Sequence, residues 1–161
     1  MYLHARDCRG LVQVLGKPRL NEAGTHYKVE LATRGVHSLP RTEDELRQLT
    51  KDVVSGLASL HKGCYLHRDI RSSNIVYDRL LKQYVLIDFE HGDPEPRSRK
   101  KSKRFARDDF LRGWDDETLD GGFYTMASDM RQLRKLLRQE FGGLILSESL
   151  GSGDRFCGEI G

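Results

Sequence analysis

Leu46, Leu49, Val53, Leu57 and Leu60 recur in steps of three and four, a spacing that gathers all five on one side of an α-helix. This is the strongest constraint on the fold, because such a stripe has to be laid against a second apolar layer. Val54 and Ala58 widen it. Thr42 is placed to cap the first turn, and Glu45 to reach back to it as a capping box. The helix is expected from about Glu43 to His61, with Gly63 serving its exit. Burying six of these side chains contributes on the order of 10 kcal/mol before conformational entropy is charged. The helix should therefore be the spine of the domain.

Leu11–Leu15 and Tyr27–Leu31 read as two strands, rich in branched and aromatic residues with Gly, Pro and Asn between them. An antiparallel pair is expected. After the helix, Cys64–Leu66, Ile75–Tyr77 and Tyr84–Ile87 read as short strands, the last two joined by a turn at Asp78–Lys82. Residues 93–122 read as one long polar loop. A second helix is expected over Ser128–Phe141, with Met130, Leu133, Leu137 and Phe141 on one face. The last twenty residues hold six glycines and should be weakly ordered.

With 161 residues, 37% hydrophobic and 32% charged, the chain suits one globular domain rather than a disordered segment. No apolar run approaches the roughly 18 residues of a membrane helix, and the N-terminus has no apolar core of a signal peptide. Cys8, Cys64 and Cys157 are odd in number and scattered, which argues against a zinc site or disulfide framework. A cytoplasmic or nuclear setting is expected, without membrane contact. Residues 97–107 hold seven basic residues and no acid against a net charge of +3, so the remainder carries −4. Basic character belongs to one loop.

The chemistry concentrates in residues 66–92, which read Leu-His-Arg-Asp-Ile-Arg-Ser-Ser-Asn-Ile-Val-Tyr, a turn, then Val-Leu-Ile-Asp-Phe-Glu-His-Gly. Asp69, Asn74 and Asp88 fall on two neighbouring loops. Carboxylate and amide oxygens are suited to magnesium. Phosphoryl transfer needs metal held on the phosphates and a hydroxyl oriented in line. Asp88 and Asn74 form the candidate metal pair. Asp69 is the candidate acceptor of the hydroxyl proton, and Arg71 can set a positive charge beside the transferring phosphate.

The pattern H-R-D-x-x-x-x-N, a strand, then D-F-x resembles the catalytic half of a protein kinase. The resemblance covers roughly residues 5–141. In phrasing it is most similar to divergent fungal-type and Crinkler-associated kinases. It implies an α+β, protein kinase-like fold: a mainly helical C-lobe with a short catalytic hairpin and a remnant of the N-lobe sheet. The divisions implied are 1–37 for the remnant and hinge, 38–141 for the C-lobe, and 142–161 for a Gly-rich tail. It implies ATP and Mg2+ as cofactors, with Glu30 and Ala32 holding adenine through hinge backbone groups. His67 and Phe89 would pack under the catalytic loop. Arg68 would pair with a phosphorylated residue of the activation segment, Ser98 and Ser102 being the candidates in the basic loop. Asp129 would open a helix and accept hydrogen bonds from the catalytic loop backbone.

Departures from the kinase pattern matter equally. Gly10 and Gly16 do not make a G-x-G-x-x-G loop, and no V-A-I-K strand precedes the hinge. Weak nucleotide binding and little transfer are therefore expected of this chain alone. Glu90 replaces the glycine of D-F-G and so lacks its backbone freedom. Three functions compete: an incomplete protein kinase acting on Ser/Thr hydroxyls of a protein substrate, a pseudokinase that scaffolds a partner, and a small-molecule kinase of the choline or aminoglycoside type. The basic loop is also compatible with nuclear localisation. Phe105 is its only aromatic residue, so base stacking and a nucleic-acid partner are not expected.

Overall fold

The structure, a computed structural model, describes residues 7–17, 19–32, 34–94, 115 and 117–151, the side chains of Tyr27 and of 145–151 excepted. Within these it is α+β, with two helices and three small antiparallel sheets.

Helix α1 runs from Glu43 to Lys62. Thr42 Oγ1 accepts from Glu45 N at 3.2 Å, while Glu45 Oε2 accepts from Arg41 N at 2.7 Å, one residue earlier than a standard capping box. The leucine and valine stripe is buried along its length, but Ala58 is exposed and Asp52 is fully buried. At the C-terminal end Gly63 has φ −81°, and the left-handed residue is Cys64 at φ 59°. The chain therefore turns one residue later than the glycine position implies.

A short strand β4 (Tyr65–Leu66) leads to a 3-10 turn, Ser72–Asn74, and then to the hairpin β5 (Ile75–Asp78) and β6 (Gln83–Leu86). Asp78 Oδ1 accepts from Leu80 N and Leu81 N at 2.9 and 3.1 Å, which closes the hairpin turn. Strand β3 (Gly35–Val36) pairs with the outer edge of β5, giving the order β3-β5-β6. Strand β7 (Asp93–Pro94) pairs antiparallel with β4 inside what reads as uninterrupted loop.

The N-terminal strands form an irregular hairpin. β1 (Arg19–Leu20) pairs with β2 (Tyr27–Lys28), and Val14 bridges Leu31. The start of the segment turns inward instead. Val12 N donates to Leu86 O at 3.0 Å and Leu86 N to Gly10 O at 2.8 Å, so residues 10–12 lie parallel to β6. Gly10 permits this approach. Its φ is +77°, and a Cβ there would sit 2.0 Å from the Asp52 carbonyl oxygen of α1.

Helix α2 spans Met126–Gly151. Its buried side is made by Ser128, Asp129, Gln132, Leu133, Leu136 and Phe141, whereas Met130 is exposed. The packing face is thus rotated from the purely apolar stripe, because Asp129 and Gln132 have partners in the interior. The helix passes through Gly142 and Gly143 despite a cost of roughly 1 kcal/mol for each glycine. Phe141 before them and Leu144 after them pack on the core. One apolar cluster joins Leu11 and Val12, the α1 stripe, Ile75, Tyr84, Val85 and Leu86 of the hairpin, and Leu133, Leu136 and Phe141 of α2. No helix among the described residues is long and apolar enough to cross a membrane.

Candidate active site

Asp69, Asn74 and Asp88 are positioned by the β5–β6 hairpin and the loop before it. Register pairs Ile75 with Leu86, and Ile87 N donates to Asn74 O at 2.9 Å. Asn74 therefore enters the hairpin opposite the residue that precedes Asp88. The buried Asn74 amide donates from Nδ2 to Asp69 O at 2.9 Å and to Asp69 Oδ2 at 2.8 Å. Arg71 approaches the same Oδ2 at 3.0 Å; its side chain is 60% exposed while that of Asp69 is only 5% exposed. Asp69 is thus held at one oxygen by an amide and a guanidinium.

His67 lies beneath this loop and is fully buried. Asp69 N donates to its Nδ1 at 3.3 Å, and its Nε2 sits 3.0 Å from Ile87 O. A carbonyl can only accept, so the proton is on Nε2 and the ring is neutral. Burial lowers the His67 pKa, and it outweighs the raising effects of Asp129, the Ile87 carbonyl, Asp69 and Asp88. Phe89 meets the ring edge-on with centroids 5.2 Å apart.

Two non-glycine residues here take left-handed backbone, Arg68 at φ 71° and Asp88 at φ 64°. Such conformations are uncommon outside glycine, although aspartate tolerates them through local hydrogen bonding. Asp88 Oδ1 accepts from Glu90 N at 3.2 Å. The turn is made by Asp88 itself, and Glu90 has no positive φ. The glycine that the kinase pattern places at position 90 is not required by this backbone.

Asp129 organises the loop from below. Its Oδ2 accepts from His67 N at 3.0 Å and faces His61 Nε2 at 2.9 Å; its Oδ1 accepts from Arg68 N at 3.0 Å and Tyr124 Oη at 2.7 Å. Burial by itself would raise the Asp129 pKa, but these four donors reverse the effect and hold it below the usual carboxylate value. Beside it, Gln132 Oε1 accepts from Ile70 N at 3.0 Å and lies 2.9 Å from Tyr124 Oη. Arg68 reaches the other way, to Asp93 Oδ2 at 3.1 Å, with its guanidinium carbon 5.9 Å from the Tyr124 ring centroid. An acid of the chain itself therefore meets Arg68. Ser98 and Ser102 lie outside the described residues.

Sequence reasoning missed His61, Tyr124, Gln132, Asp93 and Asp52. Asp52 accepts from Arg9 Nε at 2.9 Å, Gln48 Nε2 at 2.8 Å and Tyr84 N at 3.0 Å, pinning the N-terminal segment and the hairpin to α1. A carboxylate interrupting the apolar stripe was the available signal.

The two segments before β3 meet through the backbone groups of Glu30 and Ala32. Leu15 N donates to Glu30 O at 2.8 Å, and Ala32 N donates to Gln13 O at 2.9 Å. Both backbone groups expected to meet adenine are turned toward the neighbouring strand. Backbone polar groups alternate sides along a strand. Those of Leu31, opposite Val14 in this pair, therefore face the other way.

Among the described residues no three His, Cys, Asp or Glu side chains cluster as a metal site. Asp88 and Asn74 Oδ1 are oxygen donors of the kind magnesium takes, an ion that keeps several waters and draws the rest of its shell from substrate phosphates. The Asn74 Nδ2 bonds to Asp69 fix which atom of that amide can serve.

The fold and this cluster describe an α+β chain with kinase-like features, and relatives of known class carry the comparison further. No protein-family model matches the chain. Over 103 residues, 64% of its length, it is 28% identical to Crinkler effector protein 8 of Phytophthora infestans, of which the stretch is 17%. Over 63 residues, 39% of its length, it is 36% identical to probable serine/threonine-protein kinase fnkB of Dictyostelium discoideum, of which the stretch is 12%. Over 45 residues, 28% of its length, it is 38% identical to the human cell division cycle 7-related protein kinase, covering 8% of that protein. The chain thus resembles serine/threonine protein kinases over short stretches, and it matches at most 17% of the length of these relatives.

Proposed function

We propose that residues 38–141 form the phosphoryl-transfer lobe of a protein kinase-like domain, moving the γ-phosphoryl group of ATP to a Ser or Thr hydroxyl of a protein substrate, with 1–37 contributing a small-lobe remnant and hinge. The observation that carries this reading is the pair of bonds from Asn74 Nδ2 to Asp69, at the open end of the hairpin, where the chain leaves β6 for Asp88. Magnesium-bound ATP would supply the electrophilic phosphorus and the counter-charge on its oxygens. Asp88 and Asn74 Oδ1 would hold the metal. Asn74 and Arg71 both occupy Asp69 Oδ2, so Oδ1 is the oxygen that receives the hydroxyl proton. Arg71 is half-exposed and would pass from Asp69 to the phosphate. Adenine would meet the backbone groups of Leu31 rather than those of Glu30 and Ala32.

A thermal-shift titration of the full chain with Mg-ATP tests this reading. Saturating nucleotide at about 100 times Kd should stabilise the fold by about 2.7 kcal/mol, and Asp88→Ala should abolish the effect. An unshifted parent chain, or an equal shift in the variant, would refute it.

A second reading, a pseudokinase scaffold, draws support from Asp69. Its side chain is 5% exposed and already paired with Arg71. Nucleotide binding without transfer to any Ser/Thr peptide would favour that alternative.

A further inference from the structure

We propose that the outer face of α2 carries a docking groove for an acidic peptide segment of a partner protein, recognised by Arg134 and Arg138 and flanked by Arg131 and Lys135. The inference stands apart from phosphoryl transfer. Gln132, Leu133 and Leu136 turn into the core, so positions 131, 134, 135 and 138 share the opposite side at helical spacing. They line a groove of about 670 Å³ whose other wall includes Glu117 and Thr118. Four cations thus line the groove with Glu117, and one of them, Lys135, is already paired with Asp115. Like charges three and four residues apart destabilise a helix by roughly 0.2–0.5 kcal/mol per pair. An anion in the groove would relieve that repulsion.

The chain already shows how a carboxylate sits here. Asp115 forms an ion pair with Lys135 Nζ, and its Oδ1 accepts from Thr118 N at 3.0 Å and Thr118 Oγ1 at 2.7 Å. The hydrogen bond from Lys135, followed by that from Thr118, pulls its pKa down to about 2. Arg131 is tied into the same wall by donating to Thr118 O at 3.3 Å. Arg134 and Arg138 continue the row past this seat, both exposed. One turn separates them, about 6 Å along the axis. Alternate residues of an extended peptide are about 6.6 Å apart. Carboxylates at every second position therefore match the two guanidiniums, which bind carboxylates in a fork. Among the described residues no aromatic side chain lines the groove to stack a base, which favours peptide over nucleic acid.

The test is fluorescence anisotropy of the full chain with a labelled Glu-Ser-Glu-Ser-Glu-Ser peptide at low ionic strength. Saturable binding is expected, weakened at least about tenfold in Arg134→Glu/Arg138→Glu and weakened also in Arg134→Gln/Arg138→Gln. An Arg79→Glu/Lys82→Glu variant makes the same change in net charge at the hairpin turn and should stay within about twofold of the parent. Both sets retain the basic stretch 97–107, so their difference isolates the groove. Circular dichroism and Tm verify that each variant is folded. Equal losses in the two charge-reversal variants, or no saturable binding by the parent, would overturn the proposal. Tighter binding of a single-stranded oligonucleotide of equal charge through the same arginines would overturn it as well.

Discussion

Replacing Asp129 by asparagine should destabilise the chain by an amount that follows from four distances. Each carboxylate oxygen takes two donors: Oδ2 serves His67 N and His61 Nε2, and Oδ1 serves Arg68 N and Tyr124 Oη. Asparagine keeps one acceptor, so in either orientation its amide NH2 confronts a backbone N–H. The cheaper orientation turns the amide toward Arg68 N, because the Tyr124 proton can swing to Gln132 Oε1 at 2.9 Å. One buried N–H then remains unsatisfied, costing about 1–3 kcal/mol, and the bonds that survive lose their charge, costing about 1 kcal/mol more. The expected loss is about 2–4 kcal/mol for Asp129→Asn and larger for Asp129→Ala, which orphans both backbone N–H groups. Tyr124→Phe removes one donor and should cost about 1 kcal/mol. Urea unfolding followed by far-UV circular dichroism measures all three. With a slope near 1–2 kcal/mol/M, the Asn variant should lose roughly 1–4 M of midpoint. An Asn variant within about 1 kcal/mol of the parent would refute the claim that this carboxylate holds the loop by satisfying its backbone. The same logic makes Asp129 an acid-sensitive group. Its folded pKa is depressed, so its contribution is full above the ordinary carboxylate range and is lost as pH falls below it.

His67 should set a second pH dependence. Its folded pKa lies below 6.5, so under that pH the unfolded chain takes up a proton that the folded chain refuses. Stability is then full above 6.5 and should decline as pH falls below it; unfolding midpoints that stay flat from pH 7.5 to 5.5 would count against a buried neutral ring. Gly10→Ala places a methyl 2.0 Å from the Asp52 carbonyl oxygen at φ +77°. It should cost at least about 2 kcal/mol by chemical unfolding, and a neutral result would mean that residues 10–12 do not lie on α1. Asp93→Asn should change stability by less than about 1 kcal/mol in thermal denaturation, because the Asp93 side chain is 57% exposed and such pairs are screened. A larger loss would show that the Arg68 contact anchors β7 on β4.

Short-range order was legible in the chain. The α1 stripe and its Thr42 cap needed only the helical period and one turn of capping chemistry, and the observed span Glu43–Lys62 follows. The Ile75–Leu86 hairpin followed from two apolar runs around a turn, and the five-residue step from Asp69 to Asn74 set their nearness. What escaped was long-range and polar. Met130 reads as a core residue by period, yet Asp129 and Gln132 claim the interior because backbone donors of the loop at 67–70 await them. Asp52 reads as a break in a stripe until Arg9 and Tyr84 arrive from 43 and 32 positions away. Which backbone groups of residues 29–32 face outward depends on a single-residue choice of register with Gln13 and Leu15. Local period and turn chemistry act between neighbours and are written in sequence order. Buried polar groups take whichever partner the packing of distant segments brings within hydrogen-bond reach, and only the assembled structure determines that partner.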